Sequence, residues 1–597
     1  MADGDDDSAF GEGLQVELFH PETDREPGDT NWEGYGFDVH PQVFFISAFF
    51  ILGVIATALI WPDELAGILA APIVAAEVPG FWPWDQGLQF TISDNLGWLF
   101  ILGANIILLS VIYFAVSKYG NIRLGGVDAD KEFSDISWIA MLFSAGMGIG
   151  LMFFGVAEPM FHFIADGVDA PLFGASPGTD EAAGLALALS YFHWGFHPWA
   201  IYGLVGLSLA FFSFNRGLPL TFRSIFWPVL GERIYGWWGH LIDILTVLAT
   251  LFGLTTSLGL GALQVNAGLN HIFDIGTSSE LQVGIIAGIT AIAVVSVALG
   301  LKGGVRRLSN LNLFLMAVLL ITVMILGPTL FILTMLPEAI GGYLTNFPLF
   351  SLHTEATGGQ VPYDQWSSWW TIFYWAWWIA WSPFVGMFIA RISRGRTVRE
   401  FMMGVLILPV LFSFVWFAAM GATAINEEQA DAGALSGVLL DEGAEVAMFE
   451  MFEMMPGTLI LAGLAVLLVT TFFVTSSDSG SLVIDHLTSG GKHDAPVTMR
   501  IFWAVTEGAV AAALLWAGGE FALNALQAAV ISAGLPFVAI LLFMIFAIYL
   551  GLKEEYQILR SEEFAEAIDK LSEEGEVVVT EAGGAVVTDV RDAESDD

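Results

Sequence analysis

Thr371-Ile-Phe-Tyr-Trp-Ala-Trp-Trp-Ile-Ala-Trp-Ser-Pro-Phe384 is apolar enough to lie inside a membrane, yet four of its fourteen residues are tryptophan. Tryptophan in membrane proteins gathers at the two interfaces, where its N–H stays hydrated. At mid-span the useful part of the ring is its face, which attracts a cation by roughly 0.5–2 kcal/mol. Trp375, Trp377, Trp378 and Trp381 gathered around one point would suit a quaternary ammonium group, which has no hydrogen to donate. The plainer reading of the same residues is large rings packing helix against helix.

The rest of the chain gives this stretch a membrane setting. Of its 597 residues, 55% are hydrophobic, and the mean hydropathy is +0.69. Twelve apolar windows can be drawn, at 42–61, 96–117, 135–156, 182–212, 239–267, 281–301, 310–335, 366–390, 401–423, 457–477, 499–517 and 525–550. Each is long enough to cross about 30 Å of hydrocarbon, and only helices satisfy their backbone over such spans. The expected fold class is an all-α polytopic membrane protein with 12 transmembrane helices.

Charge placement orients these spans. Lys118, Arg123 and Lys131 separate spans 2 and 3; Arg216, Arg223 and Arg233 separate 4 and 5. Lys302, Arg306 and Arg307 follow span 6, Arg391, Arg394, Arg396 and Arg399 follow span 8, and Lys492 and Arg500 separate spans 10 and 11. The alternate connections contain no Lys or Arg. All 20 basic residues thus fall on one side, so the positive-inside rule predicts that both termini are cytoplasmic; the membrane expected is the plasma membrane. The 62 acidic residues leave a net charge of −42. Twelve acids lie in residues 1–41 and fifteen follow from Glu554 onward. Such self-repulsion suits molar salt, where the Debye length shrinks to about 3 Å, and predicts a halophile; an acidic interaction tail is the competing reading. Zero Cys excludes disulfides and thiolate metal sites. No basic n-region precedes a short apolar run, so no cleaved signal peptide is expected.

Two spans look interrupted and stand five apart. Span 3 contains Gly146-Met-Gly-Ile-Gly150 and ends near Pro159, while span 8 contains Ser382-Pro383. Breaks at matching positions of two halves point to inverted five-helix repeats with the site between them at mid-membrane. The expected layout is an acidic cytoplasmic tail (1–41), two peripheral helices (42–134), a first repeat (135–335), an outer connection (336–365), a second repeat (366–550) and an acidic cytoplasmic tail (551–597). Leu336–Phe350 reads as an amphipathic interfacial helix, residues 425–453 as a solvated acidic loop, and the stretch around Gly583-Gly584 as a small hairpin.

Span 4 offers a partner for the tryptophan stretch. Trp199 and Tyr202 share a helix face and Trp194 lies close by, so two aromatic spans could close a box. His193 and His197, four apart, could bind a metal, although packing or capping histidines is the commoner meaning. Gly146 and Gly150 form a GxxxG pair, which serves close helix packing. Three glycines in five residues also weaken a helix by about 1 kcal/mol each, and unwound backbone exposes N–H groups to a carboxylate and C=O groups to Na⁺. Thr475 and Ser476 are neutral oxygens of the kind Na⁺ accepts, or they simply bond back to the preceding turn. Asp243, Glu158, Asp478 and Glu507 are intramembrane acids without an assigned role.

Phe373–Phe384 followed by Arg391-Ile-Ser-Arg-Gly-Arg396, together with Gly146–Gly150, Ala157-Glu158-Pro159 and His193-Trp194…Trp199…Tyr202, resembles the signature of the betaine/carnitine/choline transporters. The resemblance covers essentially spans 1–12. It implies the LeuT-type five-plus-five fold (spans 3–7 and 8–12) after two extra helices, and a homotrimer. It implies that Trp194, Trp199, Tyr202 and Trp378 line an ammonium box, with Trp381 adjoining and Trp377 on the approach. Gly146, Gly148 and Gly150 would be the loosened backbone beside it. The main sodium site would use Ser144 and Met147 carbonyls, the Phe472 carbonyl, and the Thr475 and Ser476 hydroxyls. A second would use Thr250 and Phe384, but Leu254 stands where the family has a threonine. Gly150 stands where proton-linked choline carriers tend to have Asp, and no span carries the basic side chain of sodium-independent carnitine exchangers.

The expected function is Na⁺-coupled uptake of glycine betaine or a related trimethylammonium osmolyte by alternating access, in a halophilic archaeon. A choline or carnitine carrier, by proton coupling or exchange, is the alternative, and a sensor or channel of the same fold is a third possibility. No organic cofactor, nucleic-acid partner or enzymatic constellation is expected; the partners are the small zwitterionic or quaternary ammonium substrate and membrane lipid.

Overall fold

The computed structural model describes residues 25–70, 87–127, 129–146, 148–164, 174–299, 305–356, 366–492 and 495–561, and two short strands beyond them. Nearly every described segment is helical. The first helices are α1 (Pro41–Ile60), α2 (Pro62–Ala70), α3 (Gly87–Val116), α4 (Asp135–Gly146), α5 (Ile149–Ile164), α6 (Asp180–His193) and α7 (Phe196–Ala210). Then come α8 (Trp237–Phe273), α9 (Ser279–Leu299), α10 (Val305–Leu326), α11 (Thr329–Leu352) and α12 (Thr371–Arg391). The last are α13 (Val398–Ala430), α14 (Thr458–Thr488), α15 (Val497–Gly518) and α16 (Ala522–Ile558). Among the described residues, eleven helices are long and apolar enough to cross a membrane, α6 and α7 together making one of them. The number becomes 12 when α4 and α5, bent by 62°, are counted as one broken span. The chain is an all-α multi-pass membrane protein.

Burial sorts the helices into centre and rim. In an apolar 18-residue stretch of each span, 94% of the residues are buried for Asp180–Asn215 and 83% for Trp366–Arg391, against 33% for α1 and 22% for the span in α10. The aromatic stretch therefore lies at the middle of the bundle, where apolar side chains meet protein rather than lipid. Neighbouring helices approach α12 closely because glycines lie at the contacts, on either side. A Cβ on Gly253 of α8 would lie 3.0 Å from the backbone of Ala380, and one on Gly386 would lie 2.4 Å from Val205.

Several elements depart from expectation. Span 8 is not interrupted at Ser382-Pro383: α12 runs unbroken through Pro383. Proline lacks the N–H that would bond the carbonyl four residues back, which is Ile379. Ser382 Oγ donates to that carbonyl at 2.7 Å, so the freed group is satisfied and the helix continues. The irregular point lies earlier, at Trp370, which separates Trp366–Trp369 from α12. Span 4, read as one helix, is instead two, parted at Trp194-Gly195. Span 7 ends at Leu326, and α11 starts at Thr329, earlier than the expected Leu336, running to Leu352.

Residues 425–453 are not a solvated loop. They extend α13 and then form the helices Ser436–Glu442 and Ala447–Glu453. Leu435, Leu439, Met448, Met451 and Phe452 are buried, while Asp431, Asp441, Glu442 and Glu453 face outward. Leu435 and Leu439, and Met448 and Phe452, are each four residues apart, which puts the apolar residues of each pair on one inward side. Glu428 accepts hydrogen bonds from Gly433, Leu435 and Ser436 backbone N–H groups at 2.8–3.0 Å, fixing the turn between them. In the C-terminal segment Val578 pairs with Val586 and Val579 with Ala585, the hairpin expected around Gly583-Gly584.

The basic ends of the helices are stapled together. Leu124 N–H donates to Arg396 O at 2.9 Å and Gly395 N–H to Leu124 O at 2.8 Å, bringing the two basic loops onto one side of the bundle. The N-terminal segment docks there too: Asn31 Nδ2 donates to Ser489 O, and Lys492 Nζ to Asp38 Oδ2 at 2.6 Å. Arg216 Nη1 donates to Glu555 Oε2 at 2.5 Å, and Asn215 Nδ2 to Glu555 Oε1 at 3.1 Å. Both members of that ion pair are buried. Removing one partner of a buried pair strands the other charge, at about 3–5 kcal/mol. Glu555→Ala is therefore expected to lower the melting temperature of the purified protein clearly; unchanged melting would show that this staple contributes nothing.

Candidate functional site

The bend between α4 and α5, the parting of α6 from α7, and α12 meet at one place. Gly146 closes α4 and Gly148 lies in the bend, so Gly146 and Gly150 do not share one helix face as a GxxxG pair would. Met147 lies outside the described residues. A Cβ on Gly148 would sit 3.8 Å from Trp381, an ordinary contact, whereas one on Gly150 would sit 2.8 Å from both Trp194 and Trp377. Gly150 is thus the backbone against which the box is built.

The aromatic residues are brought together. Trp194, capping the end of α6, meets Trp378 edge-on with ring centroids 4.8 Å apart and planes at 70°. Trp377 stacks on Trp378 at 4.7 Å and lies 6.3 Å from Trp194. Tyr202 approaches Trp378 and Trp381, each at 6.4 Å, and Trp199 packs edge-on against Tyr202 at 5.3 Å. Trp378 Nε1 donates to His193 O at 3.0 Å and Trp377 Nε1 to Gly253 O at 3.3 Å, so the N–H groups are tied back. Among the described residues, Tyr202 Oη and Trp381 Nε1 are buried without a hydrogen-bond partner. Trp375 faces elsewhere, stacked on His197 at 4.9 Å.

Two residues that the sequence left unassigned belong to this centre. Tyr374, one turn before Trp378, stacks on it at 5.6 Å. Glu158 is fully buried behind the rings. Its Oε2 accepts from Trp194 Nε1 at 2.8 Å and from Tyr374 Oη at 2.5 Å; His193 Nδ1 lies 2.7 Å from its Oε1. His193 therefore does have an acidic partner, from another helix, and it is not paired with His197. Glu158, His162 and His193 place possible ligand atoms within 4.8 Å of one another. The His193–Glu158 distance is that of a hydrogen bond. The i, i+4 spacing of Glu158 and His162 was readable; the 35-residue separation to His193 was not.

Beside the box lies a cavity of about 100 Å³ whose lining includes Ser144, Phe472, Thr475 and Ser476, together with Trp381 and Phe384. Four of the five residues of the expected main sodium site thus face one space. Asn312, which sequence reasoning missed, also lines it and donates to Thr475 Oγ1 at 3.1 Å. Thr475 Oγ1 also lies 3.1 Å from the Thr471 and Phe472 carbonyls, so one lone pair remains for a cation. Phe384 lines this same cavity and Thr250 does not; Thr250 Oγ1 donates to Thr246 O at 2.7 Å. Leu254 packs against Gly480.

Residues 42–557 match the profile of the betaine/carnitine/choline family transporters. The chain is similar to glycine betaine transporter 1 of Vibrio parahaemolyticus, 48% identical over 535 residues, covering 90% of this chain and 98% of that protein. It is similar to a glycine betaine/proline/choline transporter of the same organism, 44% identical over 532 residues (87% of this chain, 91% of that protein). It is also similar to a glycine betaine transporter of Acinetobacter baylyi, 39% identical over 518 residues, or 86% of this chain and 74% of the other.

Proposed function

Since the chain belongs to the betaine/carnitine/choline transporter family, and so is a transporter rather than an enzyme, we propose that it takes up glycine betaine, or a close trimethylammonium osmolyte, together with Na⁺. The observation that carries this reading is the meeting of Trp194, Tyr202 and Trp378 around one point, with a hydroxyl-lined cavity beside it. Ring faces hold a methylated nitrogen without asking it for a hydrogen bond. The substrate carboxylate lies toward the loosened backbone at Gly146–Gly150, beside Trp381; among the described residues the Trp381 N–H and the Tyr202 O–H have no acceptor. Na⁺ is co-transported cargo, held by the neutral oxygens of Ser144, Phe472, Thr475 and Ser476 at the cavity wall.

Transport proceeds by alternating access. The spans of α4–α10 and α12–α16 form two inverted five-helix halves, with the site between them. In support, α8 packs on α14 and α9 on α15, the fifth span of the bundle on the tenth and the sixth on the eleventh. Binding of both ligands lowers the barrier to rocking more than Na⁺ alone does; otherwise the ion gradient would leak. The stapled basic ends face the cytoplasm, in the plasma membrane of a halophile, and the working unit is a homotrimer. Relatives whose names include choline and proline keep a broader carrier in view, and competition by choline and carnitine separates these readings.

Uptake of labelled glycine betaine into proteoliposomes at high salt, with and without a Na⁺ gradient, tests the proposal directly. Concentrative uptake only with Na⁺ is expected; equal flux in its absence would remove the coupling. The double substitution Thr475→Ala/Ser476→Ala deletes two hydroxyl ligands. It is expected to raise the half-saturating Na⁺ concentration by roughly tenfold, about 1.4 kcal/mol, leaving betaine affinity at saturating Na⁺ nearly unchanged. An unaltered Na⁺ dependence would move the ion elsewhere.

A further inference from the structure

We propose that Glu158 is the positioning residue of the aromatic box and the buried negative charge that makes it prefer a cation to an uncharged group of equal shape. The inference rests on the trimethylammonium reading above and deepens it. Among the described residues, the only basic side chains within ion-pair distance of Glu158 are the imidazoles of His162 and His193.

An ionised carboxylate can accept from every group around it. An indole N–H can only donate, and Trp194 gives it to Oε2 at 2.8 Å. Tyr374 brings its hydroxyl to the same oxygen at 2.5 Å, within the range of a hydroxyl donating to an anion. His193 Nδ1 faces Oε1, while its Nε2 lies 3.0 Å from Thr371 Oγ1, which can donate to it. With the proton on His193 Nδ1 and Thr371 donating to Nε2, three donors meet the two oxygens, which is the arrangement an ionised carboxylate completes.

One carboxylate thereby fixes three rings. Trp194 is held directly, Tyr374 is held while stacked on Trp378, and Trp378 donates to the backbone of His193, itself held by Glu158. The charge sits at the N–H edge of Trp194, the positive end of the ring's quadrupole, and so makes the face more negative. It acts on the substrate through the ring and across a dry interior where screening is weak. It also orients a zwitterion, with nitrogen toward Trp194 and carboxylate toward Trp381, whose N–H is unpaired among the described residues. An imidazolium at His162, whose Nε2 is 3.5 Å from Oε1, would cancel this charge; neutral imidazoles leave it intact.

The test is equilibrium binding to the purified full-length protein, comparing glycine betaine with 3,3-dimethylbutanoate, in which carbon replaces the quaternary nitrogen. Wild type is expected to bind betaine roughly tenfold more tightly, about 1.4 kcal/mol. Glu158→Gln keeps shape and can still accept from Trp194, yet should shrink that gap to within about threefold. Glu158→Asp keeps the charge but loses reach, so it should weaken both ligands and preserve the gap; if the Gln variant does not fold, this variant decides alone. A gap retained in Glu158→Gln, or lost in Glu158→Asp, overturns the proposal. Wild type binding betaine with no preference over the isostere overturns it as well. Wild type binding neither ligand overturns the substrate reading itself, and this inference with it.

Discussion

Trp378→Leu is expected to weaken glycine betaine uptake roughly tenfold or more, because it removes the face on which the other rings converge. Trp378 touches Trp194, Trp377, Tyr374 and Tyr202 at centroid distances from 4.7 to 6.4 Å, so no other single ring borders so much of the site. Two effects add. The first is loss of cation–π attraction, roughly 0.5–2 kcal/mol. The second is loss of shape, since leucine leaves a void that neighbouring rings relax into. Melting of the variant separates a collapsed protein from a folded one with a poor site. Trp378→Phe is the finer probe: it keeps a face but strands the His193 carbonyl that the indole N–H serves. It should fall between wild type and leucine. Apparent affinity for betaine, measured in proteoliposomes at saturating Na⁺, reads both. Leucine with unchanged affinity would mean that the rings are packing, the plainer meaning their sequence allowed.

What the sequence made legible follows from the range of the interactions involved. Spans and their common basic side could be read because hydropathy and charge are local properties, and Lys118–Lys131 and Arg391–Arg399 do meet across the bundle. Trp378 and Trp381 stood out because a run of indoles at mid-span is out of place, and both do meet Tyr202. Pro383 misled: the rule that proline interrupts a helix holds only when the freed carbonyl stays unsatisfied, and Ser382 satisfies it. Residues 425–453 misled because acidic content was weighed without the helical spacing of Leu435, Leu439, Met448 and Phe452. Glu158 was visible as an intramembrane acid, but its meaning depends on Trp194, Tyr374 and His193, which lie 35 to 216 residues away. Asn312 gave no signal at all, since a single polar residue in an amphipathic helix is ordinary.

Gly150→Ala should cost little stability while reducing betaine uptake roughly tenfold, a dissociation that a structural glycine would not give. Within α5, alanine favours helix over glycine by about 0.5–1 kcal/mol. Against this, the new methyl group would lie 2.8 Å from Trp194 and from Trp377, and overpacking a rigid site costs about 1–3 kcal/mol. Neither indole can yield by rotation alone: Trp194 is fixed through its N–H to Glu158, and Trp377 is stacked on Trp378 and bonded to Gly253 O. The clash is therefore relieved by moving α5 away from α12, and the rings that face the substrate separate. Stability changes by the small difference of two opposing effects, while the box changes by the whole displacement. Melting within a few degrees of wild type, together with a large rise in half-saturating betaine, is the expected pair of results. Uptake within about twofold of wild type would show that the bend at Gly148 absorbs the methyl group, and that the site tolerates a looser fit than its geometry indicates.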